Sequence, residues 1–179
     1  MATHRMKIAG LERELPLCHV SDELDIAAFI MFSDVEITVA CAAQLLEKVP
    51  EFDIIMTAES KGIPLAYEMS RRSGRKYIVG RKSVKLYMSD PIGVSVKSIT
   101  TEGEQKLFLS ADDAADIAGK RVLIVDDVIS TGESLKALEE LVNAAGGNIV
   151  CKAAVLAEGE ASDRDDIVFL EKLPVFPRK

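Results

Sequence analysis

Apolar residues in this chain fall in short runs that alternate with segments of helical periodicity. The clearest run, Val122–Val125, has no polar position, which is the pattern of a strand buried on both faces of a parallel sheet. Comparable runs cover residues 52–57, 76–79, 148–156 and 167–170. Because strand and helix signals alternate, the pattern predicts an α/β fold with a doubly wound parallel sheet, whose ligands bind at the carboxyl ends of the strands.

Three helices are predicted between these strands. The first starts at Ser33, where serine at the N-cap and Glu36 three residues later form a capping box. Its expected packing face consists of Val35, Val39, Ala42, Ala43, Leu46 and Val49. The second covers about residues 63–72, and the third follows Gly132 and ends at Gly146-Gly147.

Polar residues follow the run Val122–Val125 in an order that suits one kind of ligand. Asp126 and Asp127 come where the strand is expected to emerge, and a small polar turn, Ser130-Thr131-Gly132, opens the next helix. Amides and hydroxyls at a helix N-terminus bind phosphate, whereas carboxylates accept hydrogen bonds from sugar hydroxyls. The combination therefore indicates a ribose 5-phosphate ligand. Neither G-x-x-x-x-G-K-[ST] nor G-x-G-x-x-G occurs in the sequence.

Two further polar loops follow predicted strands. The first contains Glu59, Ser60, Lys61 and Gly62, and glycine there lets the backbone approach a ligand closely. The second carries three cations within five residues: Arg81, Lys82 and Lys85. Either loop alone is also compatible with a solvated surface. Because all three loops follow strands of one predicted parallel sheet, we expect them to meet at the same edge.

The stretch VLIVDDVISTGES resembles the phosphoribosyl pyrophosphate (PRPP) signature of type I phosphoribosyltransferases, and the surrounding chain resembles their purine branch, near the adenine enzymes. The resemblance implies that Asp126 and Asp127 hold the ribose hydroxyls. Residues implied for the 5-phosphate are Ser130, Thr131, Gly132, Glu133 and Ser134; those for pyrophosphate are Glu59, Ser60, Lys61, Gly62, Arg81, Lys82 and Lys85. The catalytic residues implied are Asp126, Asp127, Lys85 and Glu102.

The resemblance also has departures. Glu133 stands where a small residue is usual, and a carboxylate beside a phosphate weakens binding unless it points away. In the loop at 59–62, Ser60 and Lys61 replace alanine and arginine, and lysine lacks the bidentate fork of arginine. The aromatic-Arg-Asp segment of many adenine enzymes is missing near Leu24-Asp25-Ile26. The base specificity is therefore left open by the sequence.

The resemblance further implies a small hood over the base and a flexible flap over PRPP, within a single domain of residues 1–179. The hood is expected at about residues 11–32 and 157–179, with Phe29 against the base, and the flap at about 83–106. Alternation around Val94, Val96, Leu107 and Leu109 favours a hairpin in the flap. Residues 11–32 read as an irregular lead-in.

Composition restricts the classes of function. A net charge of −7 disfavours a nucleic-acid partner, and no apolar run approaches the length that crosses a membrane. Three widely spaced cysteines and the lack of an apolar leader predict a cytoplasmic protein with reduced thiols. We expect no metal site built by the protein itself, but Mg²⁺ arriving on PRPP, with Asp126 and Asp127 as the nearest carboxylates. The resemblance implies a homodimer.

The sequence thus predicts a purine phosphoribosyltransferase of purine salvage, which joins a base to PRPP and releases pyrophosphate. Adenine is the expected base, and a xanthine or hypoxanthine-guanine enzyme is the alternative. A second class remains open, a regulator that binds PRPP or a nucleotide without turnover. A receiver-like domain with an acidic pair is a third, although it leaves Lys61, Arg81 and Lys85 unexplained.

Overall fold

The computed structural model describes residues 2–97 and 104–178. Its elements are, in chain order, β1 (Thr3–Ile8), β2 (Leu11–Ser21), β3 (Leu24–Ala27), α1 (Val35–Lys48), β4 (Ile54–Ala58), α2 (Ile63–Ser73), β5 (Lys76–Gly80), β6 (Ile92–Lys97), β7 (Glu104–Leu109), α3 (Ala111–Ile117), β8 (Arg121–Ile129), α4 (Glu133–Ala144), β9 (Asn148–Glu158), a 3₁₀ helix (Gly159–Asp163), β10 (Val168–Leu173) and β11 (Val175–Pro177).

The main sheet is five-stranded and parallel, in the order β10-β9-β8-β4-β5. After β4 the chain adds β5 on one side, and after β8 it adds β9 and β10 on the other. The winding direction therefore changes between β4 and β8, where open α/β sheets form a ligand crevice. The predicted doubly wound parallel sheet is confirmed.

Each face of the sheet has its own core, because successive side chains of a strand point to opposite faces. Leu123 and Val125 of β8 pack with buried residues of α1 and α2. Val122 and Ile124, between them in sequence, pack with α4, including Leu138. An unbroken apolar run is therefore required in β8, which explains why this strand was visible in the sequence.

Helix α1 begins close to the predicted place but is held differently. Asp34 is the N-cap, and its carboxylate accepts a hydrogen bond from the amide of Ile37 at 3.1 Å. The guanidinium of Arg13 donates to Asp34 at 2.7 and 3.0 Å and to Glu36 at 2.8 Å. Because Glu36 is taken by Arg13, the predicted capping box with Ser33 is wrong.

The predicted packing face of α1 is correct only in part: Ala42 is buried, and Leu46 and Val49 are partly buried against the same core. The buried residues are Ile37, Thr38, Cys41, Ala42 and Leu45, whereas Val35 is 72% exposed. This helix carries apolar residues on two neighbouring faces, so the periodicity of the sequence did not determine which face packs against the core. Cys41 is fully buried, and burial raises the pKa of its thiol to about 12, so it packs as a small apolar residue.

A second sheet, in the order β1-β2-β3-β11, is formed by residues 3–27 and 175–177. Residues 11–32, expected to be irregular, therefore contain two strands. The predicted hood included residues 157–179, but β10 pairs with β9 in the main sheet and only β11 joins the second sheet. The reason is local: Pro174 separates β10 from β11, so the chain leaves one sheet and enters the other at this proline.

The hairpin expected in the flap is present as β6 and β7, which pair antiparallel from Ile92↔Leu109 to Lys97↔Glu104. Val96, Leu107 and Leu109 are buried in the core that contains α4, so the base of the hairpin is anchored. Glu102, predicted to be catalytic, lies outside the described residues. In the described part of the chain, no helix is long and apolar enough to cross a bilayer.

Asp34→Ala is expected to lower the free energy of unfolding by about 1–2 kcal/mol, because it removes the N-cap and a carboxylate that Arg13 binds. Glu47→Ala, on an exposed turn of the same helix, is the matched control and should change stability by less than about 0.5 kcal/mol. Urea unfolding at pH 7 measures both. Equal stability of the two variants would contradict the capping role of Asp34.

Candidate active site

The site begins where β4 and β8 separate. The two strands pair only over Ile54–Met56 and Val122–Ile124; beyond these residues β4 continues alongside β5, and β8 alongside β9. Gly62 occupies the gap: a Cβ added there would lie 2.4 Å from Thr57 Oγ1 and 3.0 Å from Asp126 Oδ1. Only glycine fits at this position, as expected for a loop whose backbone approaches the site closely.

Asp126 and Asp127 lie within β8, beside this gap. The prediction placed both at a strand end outside the core, and for Asp127 this is wrong, since it is 2% exposed. The strand continues through the pair to Ile129 because β9 hydrogen-bonds along its full length. The amide of Asp127 donates to Asp126 Oδ1 at 2.9 Å, and Lys61 Nζ lies 3.5 Å from Asp127 Oδ2.

Burial and the neighbouring Asp127 carboxylate raise the pKa of Asp126 to about 8, well above its usual range. Burial is the larger cause, and Lys61 opposes it only in part. The pair therefore holds a proton at neutral pH more readily than two exposed carboxylates would. Hydroxyl or cationic groups of a ligand beside Asp126 would favour the charged form of its carboxyl group.

Three buried side-chain atoms of the described residues lack a hydrogen-bond partner: Thr57 Oγ1, Arg81 Nε and Asp127 Oδ2. They belong to β4, to the first position after β5, and to β8, so all three lie at the carboxyl edge of these neighbouring strands. Buried polar groups are nearly always paired in folded proteins. Their concentration at one edge indicates a place where a polar ligand binds.

The loop from Ser130 to Ser134 encloses a small cavity of about 40 Å³ together with Asp126. Gly132 is the N-cap of α4 and has a φ of 81°, a left-handed conformation that glycine adopts without strain. The described residues lining this cavity include two acids, Asp126 and Glu133, and no lysine or arginine. The loop thus offers amides and hydroxyls at a helix N-terminus, as the sequence predicted.

The other two predicted loops are joined to each other. Glu59 accepts a hydrogen bond from the amide of Lys82 at 3.0 Å and pairs with Arg81 at 3.3 Å. These contacts, led by the Lys82 amide, hold the pKa of Glu59 below its usual range. Its carboxylate therefore connects the loops. Lys85 donates to Ser83 and does not line the large cavity described next, unlike Lys82.

A cavity of about 570 Å³ extends from the acidic pair to the second sheet. Among the predicted site residues, those lining it are Phe29, Glu59, Ser60, Lys61, Lys82, Asp126, Asp127, Ser130 and Ser134. The segment 26–30 forms its apolar wall, in which Phe29 is 4% exposed and packs into the core while Ile30 is 52% exposed. The cavity thus has a polar end at β8 and an apolar end at the second sheet.

Several lining residues were not selected from the sequence, and Glu158 is the most informative. It ends β9, is half-buried, and pairs in register with Leu173, which also lines the cavity. Burial raises the pKa of Glu158, and Lys61 opposes this. In the sequence, the only sign that Glu158 belongs to the site was its place as a single acid directly after the apolar run 153–157. Gln105 of the hairpin was likewise missed.

No group of three or more His, Cys, Asp or Glu side chains arranged for a metal ion occurs in residues 2–97 and 104–178. Asp126 and Asp127 nevertheless place carboxylate oxygens side by side, and Asp127 Oδ2 accepts no hydrogen bond. One or two carboxylates suit an Mg²⁺ ion that is otherwise bound by substrate phosphates and water.

Comparison with known proteins agrees with this geometry. The phosphoribosyl transferase domain model matches residues 36–175. An adenine phosphoribosyltransferase of Thermosipho africanus is 34% identical over 124 residues, covering 68% of this chain and 69% of the relative. A hypoxanthine/guanine phosphoribosyltransferase of Methanococcus voltae is 34% identical over 112 residues, 63% of this chain and 56% of the relative.

The fold has a counterpart among solved structures. The crystal structure of an adenine phosphoribosyltransferase from Thermoanaerobacter pseudethanolicus superposes with a TM-score of 0.67 at 24% identity, covering 79% of this chain and 84% of the other. Because the domain model matches residues 36–175, well over half of the chain, the chain belongs to the phosphoribosyl transferase domain family. Within that family, adenine phosphoribosyltransferases occur both among the sequence relatives of this chain and among the solved structures that resemble it. The resemblance inferred from VLIVDDVISTGES is confirmed.

Asp126→Asn is expected to stabilise the ligand-free protein, increasingly so as the pH rises from about 4 to 8. Over this range the unfolded chain has lost the proton that folded Asp126 retains, so wild-type stability falls with pH and levels off above the folded pKa of about 8. The difference between variant and wild type should reach about 2–4 kcal/mol at pH 9.

Denaturant unfolding at several pH values measures this difference, and Asp22→Asn, on an exposed turn, is the control. A constant difference between pH 4 and 9 would contradict a raised pKa at Asp126.

Proposed function

We propose that this protein transfers the 5-phosphoribosyl group of PRPP to adenine, releasing pyrophosphate in purine salvage. The observation that carries the proposal is the juxtaposition, in one cavity, of a buried acidic pair, a phosphate-type loop and an apolar wall. The names of the relatives are consistent with it. The family's activity alone does not select the base.

Each part of PRPP has a suitable partner. The hydroxyls of ribose would donate to Asp126 and Asp127, and the 5-phosphate would accept hydrogen bonds from the loop of residues 130–134. Pyrophosphate would lie near Ser60, Lys61 and Lys82, whose amides and cations stabilise the charge that it gains as the bond to C1 breaks. Mg²⁺ bound to the phosphates would neutralise part of that charge and be held by Asp126 and Asp127. The segment 26–30 would cover the base and exclude water.

The double variant Asp126→Asn/Asp127→Asn is expected to lose pyrophosphate release by at least about 10²-fold, because the ribose is no longer held. It should remain folded, since two acidic groups that are withdrawn from water are replaced by neutral amides of the same shape. Pyrophosphate release from PRPP and Mg²⁺ is measured with adenine, guanine, hypoxanthine and xanthine separately, beside Asp22→Asn as a control that keeps full activity.

Three outcomes of this assay are distinct. Release with adenine that the double variant loses supports the proposal. Release with another base alone corrects the base. If wild-type protein binds PRPP by calorimetry but releases no pyrophosphate with any base, the protein is the sensor that the sequence left open, and the proposed activity is wrong.

A 6-oxopurine is the alternative substrate, which the Methanococcus relative supports. Glu158 favours adenine instead. In either protonation state its carboxyl accepts an N–H, such as the exocyclic amine of adenine, whereas a carboxylate repels the carbonyl oxygen of hypoxanthine. A polar group that is left unpaired at a half-buried place discriminates strongly against the wrong analogue.

Glu158→Gln should therefore lower the ratio of kcat/KM for adenine to that for hypoxanthine by about ten- to hundredfold, because the amide also donates to a carbonyl oxygen. Glu160→Gln, two residues further on an exposed turn, is the matched control. An unchanged ratio in Glu158→Gln, with the wild-type enzyme still preferring adenine, would remove Glu158 from base recognition without affecting the proposed activity.

We propose further that the protein acts in the cytoplasm as a homodimer, as the resemblance implies. An exposed apolar groove of about 430 Å³ beside Phe32, Val35 and Tyr67 offers surface for such a contact. Sedimentation equilibrium at micromolar concentration measures the mass, and a value for one chain would contradict the dimer.

A further inference from the structure

Arg164 lies against the loop proposed to hold the 5-phosphate, although it is 32 residues away in sequence and no motif pointed to it. It follows the 3₁₀ helix Gly159–Asp163 directly. Its Nη1 is 2.8 Å from the place where a Cβ on Gly132 would be. Any side chain at that position would displace the guanidinium, so Gly132 both forms the left-handed turn and lets Arg164 approach the backbone of the loop.

The guanidinium is fixed on its other edge. Nε and Nη2 donate to the two carboxylate oxygens of Asp166, each at 2.8 Å, in a bidentate pair. Asp166 also accepts from Lys152, which in turn donates to Glu139 of α4 at 2.7 Å. Arg164 is therefore connected to the same helix whose N-terminus forms the loop. A planar fork held on one edge presents its remaining corner in a defined direction.

The loop lacks a cation of its own. The titratable residues that line its cavity are Asp126 and Glu133, so none of the described lining side chains supplies positive charge to a phosphate dianion. Amides and the helix dipole favour an anion at this place, but they supply only partial positive charges. Arg164 places one corner of a fixed guanidinium against Gly132, and so adds positive charge beside the loop.

We infer that Arg164 is a positioning residue for the 5-phosphate: anchored by Asp166, it holds the backbone of Gly132 and supplies positive charge beside the loop. The inference rests on the proposed function for the identity of the ligand. It gives a guanidinium to a loop whose own residues, 130–134, include no lysine or arginine. Charge-assisted contacts of this kind are stronger than neutral ones.

Isothermal calorimetry with ribose 5-phosphate and, separately, with pyrophosphate tests the assignment. Arg164→Met should weaken ribose 5-phosphate about tenfold or more, the usual size for the loss of one charged contact, and leave pyrophosphate unchanged. Arg164→Lys should recover part of the affinity, since it restores charge without the fork. In turnover, KM for PRPP should rise while kcat is kept.

Lys172→Met is the matched control, because it removes the same charge from an exposed pair with Asp163. Asp166 keeps Lys152 as a partner in Arg164→Met, so its carboxylate is not left without a cation. If Arg164→Met does not fold, Asp166→Asn releases the anchor while keeping the guanidinium, and it should also weaken ribose 5-phosphate selectively.

The inference is overturned if Arg164→Met binds ribose 5-phosphate as wild type does, or loses both ligands equally, as a merely structural role predicts. If Lys172→Met weakens ribose 5-phosphate binding as much as Arg164→Met does, the effect comes from the net charge of the protein, and the inference is overturned as well. Wild-type protein that binds neither ligand would instead contradict the proposed function. Wild-type binding of both ligands, with no change in Arg164→Met and in Asp166→Asn, removes only the role of Arg164.

Discussion

The site depends on the separation of β4 and β8 at the centre of the main sheet. Their pairing ends at Met56 and Ile124, two residues before the acidic pair, and from there each strand pairs only with its outer neighbour. A parallel sheet with buried faces would otherwise fill this place with backbone hydrogen bonds. The separation instead admits Gly62 and exposes Asp126 to the cavity, so that the loops after three strands meet around one gap.

This arrangement is unfavourable without a ligand. Two neighbouring carboxyl groups are withdrawn from water, and Asp127 Oδ2 accepts no hydrogen bond, although Lys61 Nζ lies 3.5 Å away. Thr57 keeps a buried hydroxyl without a hydrogen-bond partner. Such groups cost free energy that the rest of the fold must offset. The apolar cores on both faces of β8 do so, because Val122–Val125 are fully buried immediately before the pair. A ligand that supplies hydroxyls and positive charge would pair these groups. Binding would therefore recover part of the free energy that their burial costs.

The elements that could be predicted from the sequence are those marked by a periodic pattern or by a contiguous run of residues. Buried strands appear as unbroken apolar runs, and a loop after such a strand has a predictable location, so the sheet and its three polar loops could be predicted. Features set by contacts between distant segments could not. The guanidinium of Arg13 binds the cap of α1 from 21 residues away. Strand β8 continues past Asp127, which is buried, because β9 pairs with it as far as Ile129. Glu158 and Arg164 are single residues whose neighbours are decided by the fold alone.

The two ends of the cavity also differ in how the chain builds them. The family model covers residues 36–175, which hold the acidic pair and all three loops, but not the strands of residues 3–27. The apolar end is joined to the main sheet through β11, which pairs with β3 directly after β10 has paired Leu173 with Glu158. The apolar wall also packs into the main core, because Ala27, Phe29 and Met31 are buried together with Leu123 and Val125 of β8. The small cavity at the other end lies between β8 and α4. The contacts proposed for ribose and phosphate thus come from loops of the main sheet, within the region that the family model matches, whereas the segment 26–30 proposed to cover the base lies outside that region.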